Sequence, residues 1–139
     1  MTMNTLRTIT TALLLVVATA CAVAQNSIDR MMDNYSSRGT SRFTSAVERE
    51  PKTRKVLKVV NVLELRHDGV GEFVDAFRRE AATGDFTERR TEDGLTLMLV
   101  VRGKRQNRIY MMRCAGAYGS GRRAVSYGSA KITVIIKYT

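Results

Sequence analysis

Two short segments of the chain have hydrophobic residues at the spacing of an amphipathic helix. The apolar side of the first is formed by Ile28, Met31, Met32 and Tyr35. The apolar side of the second is formed by Val70, Phe73, Val74 and Phe77. Residues three and four apart share one side of a helix, so each segment should bury that side against other elements. Asp68 is the expected N-cap of the second helix, and Gly84 is its expected end.

Five other segments have the branched or alternating apolar residues that are typical of strands. They span residues 43–49, 54–66, 95–102, 109–114 and 131–138. The second is apolar on both sides and is expected to be a central strand, partly covered on both faces. In the last, the inward set is Ile132, Val134, Ile136 and Tyr138. The order α-β-β-α-β-β-β predicts an α+β fold, with an antiparallel sheet of about five strands and two helices packed on one face.

The first 24 residues have the pattern of an export signal. Arg7 supplies positive charge, residues 9–20 form an apolar run, and Ala22-Val23-Ala24 is a small-residue cleavage site before Gln25. The run is shorter than the ~20 residues that a membrane span needs. We therefore predict cleavage after Ala24, which leaves residues 25–139 as a single domain without a transmembrane span. The alternative is lipoprotein processing, in which Cys21 becomes the lipidated first residue.

The residues that commonly carry catalysis or bind metals are scarce. The chain has two cysteines and one histidine, so we predict no metal site, no cofactor and no disulfide. Cys114, the only thiol left after cleavage, is expected to be buried on a strand, and the alternative is an intermolecular disulfide. A hydrolase using His67 beside Asp68 is a further hypothesis, but no nucleophile motif accompanies them. We therefore predict that the protein is not an enzyme.

Two other polar segments are best explained without a catalytic role. The carboxylates Glu88, Glu92 and Asp93 alternate with arginines, which is typical of a solvated loop. The glycine-rich segment 115–130 lacks the lysine and hydroxyl residue that end a phosphate-binding loop. It is expected to be a flexible connection between two strands.

Acidic residues are confined to the first two thirds of the chain. All 13 lie between Asp29 and Asp93, whereas nine basic residues lie from Gly94 onward. After loss of Arg7, residues 25–93 carry equal numbers of acidic and basic groups, so the whole net charge of +9 resides in the last 46 residues. Solubility alone explains many basic surfaces, but a stretch without any acidic residue also favours binding of an anionic partner.

The candidate anion-binding residues lie in two loops. The hairpin loop after residue 102 and the glycine-rich segment supply Arg102, Lys104, Arg105, Arg108, Arg122 and Arg123. These loops leave opposite ends of strand 109–114, so we expect two separate basic patches. The expected partner is a lipid headgroup, lipopolysaccharide or an acidic glycan, and export makes nucleic acid unexpected. The alternative function is a protein-interaction or assembly subunit, which uses the outward side of the last strand at Ile135.

The segment from Phe43 to Leu65 reads F-T-S-A-V-E-R-E-P-K-T-R-K-V-L-K-V-V-N-V-L-E-L. Together with the signal and the short helix before it, this segment resembles small exported proteins of unknown function from Gram-negative anaerobic bacteria. The resemblance implies a periplasmic or outer-membrane-associated location. It carries no catalytic residue or binding site over to this chain.

Overall fold

The computed structural model describes residues 25–39, 41–116 and 127–139. The helices are α1 (Ser27–Ser36) and α2 (Val70–Arg79), and a 3-10 turn follows at Ala81–Thr83. The strands are β1 (Arg42–Arg49), β2 (Val56–Leu65), β3 (Asp85–Thr91), β4 (Gly94–Arg102), β5 (Gln106–Ala115) and β6 (Ala130–Tyr138). The predicted export signal, Cys21, Arg122 and Arg123 lie outside the described residues. No helix in the described ranges is long and apolar enough to cross a membrane.

The strands form one sheet in the order β1-β2-β6-β5-β4-β3, and every neighbouring pair is antiparallel. The predicted α+β class, with an antiparallel sheet and two helices, is confirmed. The predicted count of about five strands is wrong, because the sheet has six. The predicted element order is wrong as well, because the order along the chain is α-β-β-α-β-β-β-β. β2 lies between β1 and β6, inside the sheet as expected, but both helices lie over the same one of its faces.

The strand that sequence patterning misses is β3, part of which is predicted to be a solvated loop. It lies at an edge and pairs with β4 alone, so only one side of its backbone needs a partner. Phe86 is its only side chain that is not exposed. Charged residues on an edge strand hinder pairing with other chains, and they also remove the apolar alternation that marks a strand. Glu88 therefore lies in β3, and Glu92 and Asp93 form the turn into β4.

The core lies between the two helices and one face of the sheet. Leu63 faces Ile132, Ile132 faces Met112, and Met112 faces Leu97 across four neighbouring strands. All four of these side chains are fully buried. The helices contribute Ile28, Met32, Tyr35, Val70, Phe73, Val74, Ala76 and Phe77 to the same cluster.

The inward set of β6 is only partly as expected. Ile132 and Val134 are buried and Ile136 is half-buried, which confirms the alternation. Tyr138 has the same orientation, yet 39% of it is exposed. The end of β6 therefore extends past the area that the helices cover.

The two helices begin in different ways. In α1 the Asn26 side chain accepts a hydrogen bond from the Asp29 amide (3.0 Å), and the Asp29 carboxylate accepts one from the Asn26 amide (3.1 Å). This reciprocal pair is a capping box. In α2 the cap is Gly69, so the prediction of Asp68 as the cap is wrong. Gly69 has a φ of +88°, a left-handed conformation that glycine adopts at little cost, and it turns the chain from β2 into α2.

We expect Gly69→Ala to lower the free energy of unfolding by about 2 kcal/mol or more, because it combines a strained φ with a steric clash. A Cβ at this position would lie 2.5 Å from Cζ of the buried Tyr35 ring. Gly39→Ala is the control, since no described residue apart from its chain neighbours has an atom within 4 Å of the added Cβ. Urea unfolding of both variants measures the difference. Equal midpoints for the two variants would contradict this account of Gly69.

Candidate functional site

Two turns and the end of β6 meet at one end of the sheet. This end, called the turn end below, consists of residues 48–58, 102–106 and 137–139 together with Asp85. β6 runs antiparallel to both β2 and β5, so the β1–β2 turn and the β4–β5 turn lie at the same end. Strands β2 and β5 are separated by one strand, so the two turns are about 10 Å apart. The last residue is fixed to the second turn, since the Thr139 amide donates to the Arg105 carbonyl (3.0 Å).

Basic side chains outnumber acidic ones at the turn end by nine to three, which gives it a net charge of +6. The three carboxylates are Glu48, Glu50 and Asp85. The nine basic residues are Arg49, Lys52, Arg54, Lys55, Lys58, Arg102, Lys104, Arg105 and Lys137. All nine are exposed except Lys58, which is half-buried. A concentration of one sign of charge raises the local concentration of ions of the opposite sign.

The three carboxylates neutralise few of these cations. Asp85 pairs with Arg102 (2.8 Å) and Glu48 with Lys58 (3.6 Å), and both pairs are open to solvent. The Glu50 carboxylate is directed into its own turn, where it accepts from the Thr53 amide and hydroxyl and from the Lys52 amide. Hydrogen bonds from Thr53, and then from the Lys52 amide, lower the pKa of Glu50 and keep it ionised. The other seven cations have no carboxylate within 4.0 Å among the described residues.

The structure brings together only part of the residue set that the sequence indicates. Arg102, Lys104 and Arg105 lie at the turn end, whereas Arg122 and Arg123 lie outside the described residues. Sequence analysis misses the run from Lys52 to Lys55, whose basic composition is visible in the sequence. What the sequence does not show is the insertion of β6 between β2 and β5, which places that run beside the β4–β5 turn.

Arg108 is half-buried and paired with a carboxylate, and it is not part of the turn end. Its Nη1 donates to Oδ2 of Asp29 (2.7 Å), which also accepts from the Tyr110 hydroxyl (2.9 Å). When the Gln106 amide oxygen faces Arg108, it accepts from Nε (2.9 Å) and Nη2 (3.0 Å). Burial opposes the charge of Arg108, but Tyr110 and Asp29 outweigh that effect and raise its pKa. Burial also raises the pKa of Tyr110 above its ordinary value, so its hydroxyl stays a donor.

A second concave region, a cleft of about 1180 Å³, lies at the opposite end of the sheet. Among the described residues that line it, the charges are mixed, with five cations against three carboxylates. The cations are Arg38, Arg42, Arg66, Arg113 and Lys131, and the carboxylates are Glu64, Asp68 and Asp93. The resulting net charge of +2 is a third of that at the turn end.

His67 and Cys114 both line this cleft. Cys114 is buried, which confirms the expectation for this thiol. Burial raises its pKa to about 11, whereas a nucleophilic cysteine needs a lowered pKa. His67 is exposed at the junction of β2 and α2.

Within the described ranges, no group of three or more His, Cys, Asp or Glu side chains is placed to hold a metal ion. Searches of protein-family models, curated proteins and solved structures gave no match to the chain. The turn end is therefore the candidate site on the strength of its own geometry and charge.

We expect Arg108→Leu to lower the free energy of unfolding by about 3 kcal/mol, because it leaves the Asp29 carboxylate buried without its cation. The side chains of this pair are only 15% and 9% exposed. Arg102→Leu is the matched control, since it breaks the Asp85 pair, whose side chains are 72% and 71% exposed. That control should cost less than about 1 kcal/mol. Denaturant titration distinguishes the two, and an equal loss would show that Asp29 and Arg108 do not form a buried pair.

Proposed function

We propose that the chain is an exported, non-enzymatic protein of the cell envelope that binds an anionic surface through the turn end. The observation that carries this proposal is the convergence of nine basic side chains from two turns and the ends of four strands. The pattern of residues 1–24 supports export, by cleavage before Gln25 or by lipidation of Cys21. The location that we propose is the periplasm or the surface of the outer membrane.

Distance and screening explain why these cations act together. The Debye length is about 10 Å at an ionic strength of 0.1 M, which matches the separation of the two turns. A ligand with several anionic groups therefore interacts with both turns at once, whereas a single small anion does not span them. Lipid headgroups, lipopolysaccharide and acidic glycans all present repeated anionic groups. Binding to any of them should weaken steeply as salt is added.

The absence of a catalytic role is also part of the proposal. The one cysteine in the described part of the chain has a raised pKa. Among the described residues, the exposed imidazole of His67 has no hydrogen bond to a hydroxyl or thiol that it could activate. Neither residue belongs to the turn end. A surface that binds by charge needs neither of them.

Reversal of two charges tests the site. We expect Lys104→Glu with Arg105→Glu to weaken binding to heparin and to phosphatidylglycerol vesicles by more than about tenfold, because each basic residue near an anionic surface contributes about 1 kcal/mol. The control is Arg89→Glu with Arg113→Glu, which makes the same change of net charge on exposed residues far from the turn end. Vesicle co-sedimentation and elution from heparin by salt provide the readouts. Equal losses in the two double variants would assign binding to net charge, and no loss in either would refute the proposal.

The open face of the sheet favours a second candidate function, that of an assembly subunit. On the face without helices, Ile135 lies between Val60 of β2 and Ile109 of β5. These three side chains are half-buried in the isolated chain, although they lie at the centre of the sheet. Uncovered apolar area of this kind is typical of a surface that contacts another protein.

Ile135→Lys tests this second function, because a charge at the centre of an apolar interface opposes association. If the open face assembles, the parent protein forms a defined oligomer and the variant is a monomer in sedimentation equilibrium. Thr133→Lys places the same charge two residues away on the same face of β6, and it indicates whether the interface extends along the strand. A parent protein that stays monomeric at high concentration would refute the assembly function.

A further inference from the structure

Apolar side chains are exposed beside the cations of the turn end. The described residues include four large hydrophobic side chains that are exposed, and three of them lie at or next to this end. They are Val47 (49% exposed), Leu57 (38%) and Tyr138 (39%). The fourth, Phe43 (38%), lies near the opposite end of β1.

These side chains belong to a strip on the helix-bearing face of the sheet. Val47 faces Val59, and Val59 faces Ile136. Leu57 lies two residues from Val59 and Tyr138 two residues from Ile136, each on the side of the turn end. Residues two apart on a strand project from the same face. The apolar strip thus consists of Val47, Leu57, Val59, Ile136 and Tyr138. The helices cover the part of β2 and β6 that carries Leu63 and Ile132, and they leave the strip half-buried at Val59 and Ile136 and exposed at its other members.

The chain preceding α1 attaches to the domain beside this strip. The Asp29 carboxylate accepts hydrogen bonds from the Asn26 backbone amide and from Arg108. Arg108 in turn pairs across the sheet with Ile136 of the strip. Gln25 lines a small cavity with Val101 and Arg108. The sequence before Gln25 contains the apolar run 9–20 and Cys21. Four residues reach at most about 14 Å, so a lipid on Cys21 would hold this end of the domain close to a membrane.

We infer that the anionic surface bound by the turn end is a lipid bilayer, an inference that rests on the proposed function. The cations contact the headgroups, and the apolar strip enters the boundary between headgroups and acyl chains. A surface with basic residues beside exposed apolar ones suits this boundary, where both contributions add. A soluble polyanion uses the charges alone and leaves the strip exposed. A second copy of the chain is disfavoured, because it would bring two ends of charge +6 together.

Leu57→Ser separates the apolar contribution from the charge. In the mature chain, which begins at Gln25, we expect it to weaken binding to vesicles of phosphatidylglycerol and phosphatidylcholine by roughly fivefold, since serine lacks the apolar surface that the exposed leucine buries in the membrane. Its binding to heparin should not change. Phe43→Ser is the matched control, because Phe43 has the same exposure but lies away from the strip. It should change neither measurement.

A single tryptophan gives a second, direct measurement. The chain contains no tryptophan, so Tyr138→Trp introduces one reporter whose emission has no background. We expect its emission to shift to shorter wavelength when phosphatidylglycerol vesicles are added and to stay unchanged with heparin. This variant replaces one exposed aromatic ring by another, so it does not disturb the core.

The outcomes separate the inference from the proposed function. If Leu57→Ser binds vesicles like the parent and the emission of the Tyr138→Trp variant does not shift, while Lys104→Glu with Arg105→Glu still loses heparin binding, the ligand is a soluble polyanion and the bilayer inference is overturned. Heparin binding without any vesicle binding overturns it in the same way. If the charge reversal affects neither probe, the proposed function itself is refuted. Loss of vesicle binding in Leu57→Ser alone, with a shift in emission, supports the bilayer.

Discussion

The buried contact between Asp29 and Arg108 determines how the helical layer lies on the sheet. It joins the first helix to a strand 79 residues later in the chain, and Oδ2 of Asp29 accepts three hydrogen bonds there. Removing two charges from water is costly, and only a geometry with several donors offsets that cost. The contact therefore ties the first turn of α1 to β5, while the helix also packs against β2. The outer part of the β1–β2 hairpin then has no helix above it.

This placement explains both parts of the candidate site. Arg108 pairs with Asp29 and does not contribute to the turn end, so the basic surface differs from the basic stretch of the sequence. The apolar residues at the ends of β1, β2 and β6 stay exposed because two ten-residue helices cannot cover six strands. A domain with a larger helical layer would bury the strip and would present only charge at this end.

Much of the fold could be predicted from local patterns, whereas only the part of the site in the β4–β5 turn could. The spacing of Ile28, Met32 and Tyr35 is sufficient for α1, because a helix face depends on near neighbours. β3 has no such pattern, since an edge strand with solvent on several sides tolerates charged residues. Arg102 and Arg108 look alike in the sequence, and only the distant Asp29 distinguishes the exposed cation from the buried one. The β1–β2 and β4–β5 turns lie side by side because of the strand order, which local patterns do not encode.

The position of β6 in the sheet has a consequence for how the protein folds. β6 separates β2 from β5, and its register pairs Lys58 with Lys137, 79 residues later in the sequence. The two halves of the sheet can therefore join only when β6 pairs with both of them. Contacts between such distant residues slow folding, because a long loop must close before the contacts can form. A chain in which β6 has not yet paired keeps the inner edges of β2 and β5 unpaired, so this nine-residue strand sets the time at which the sheet becomes continuous.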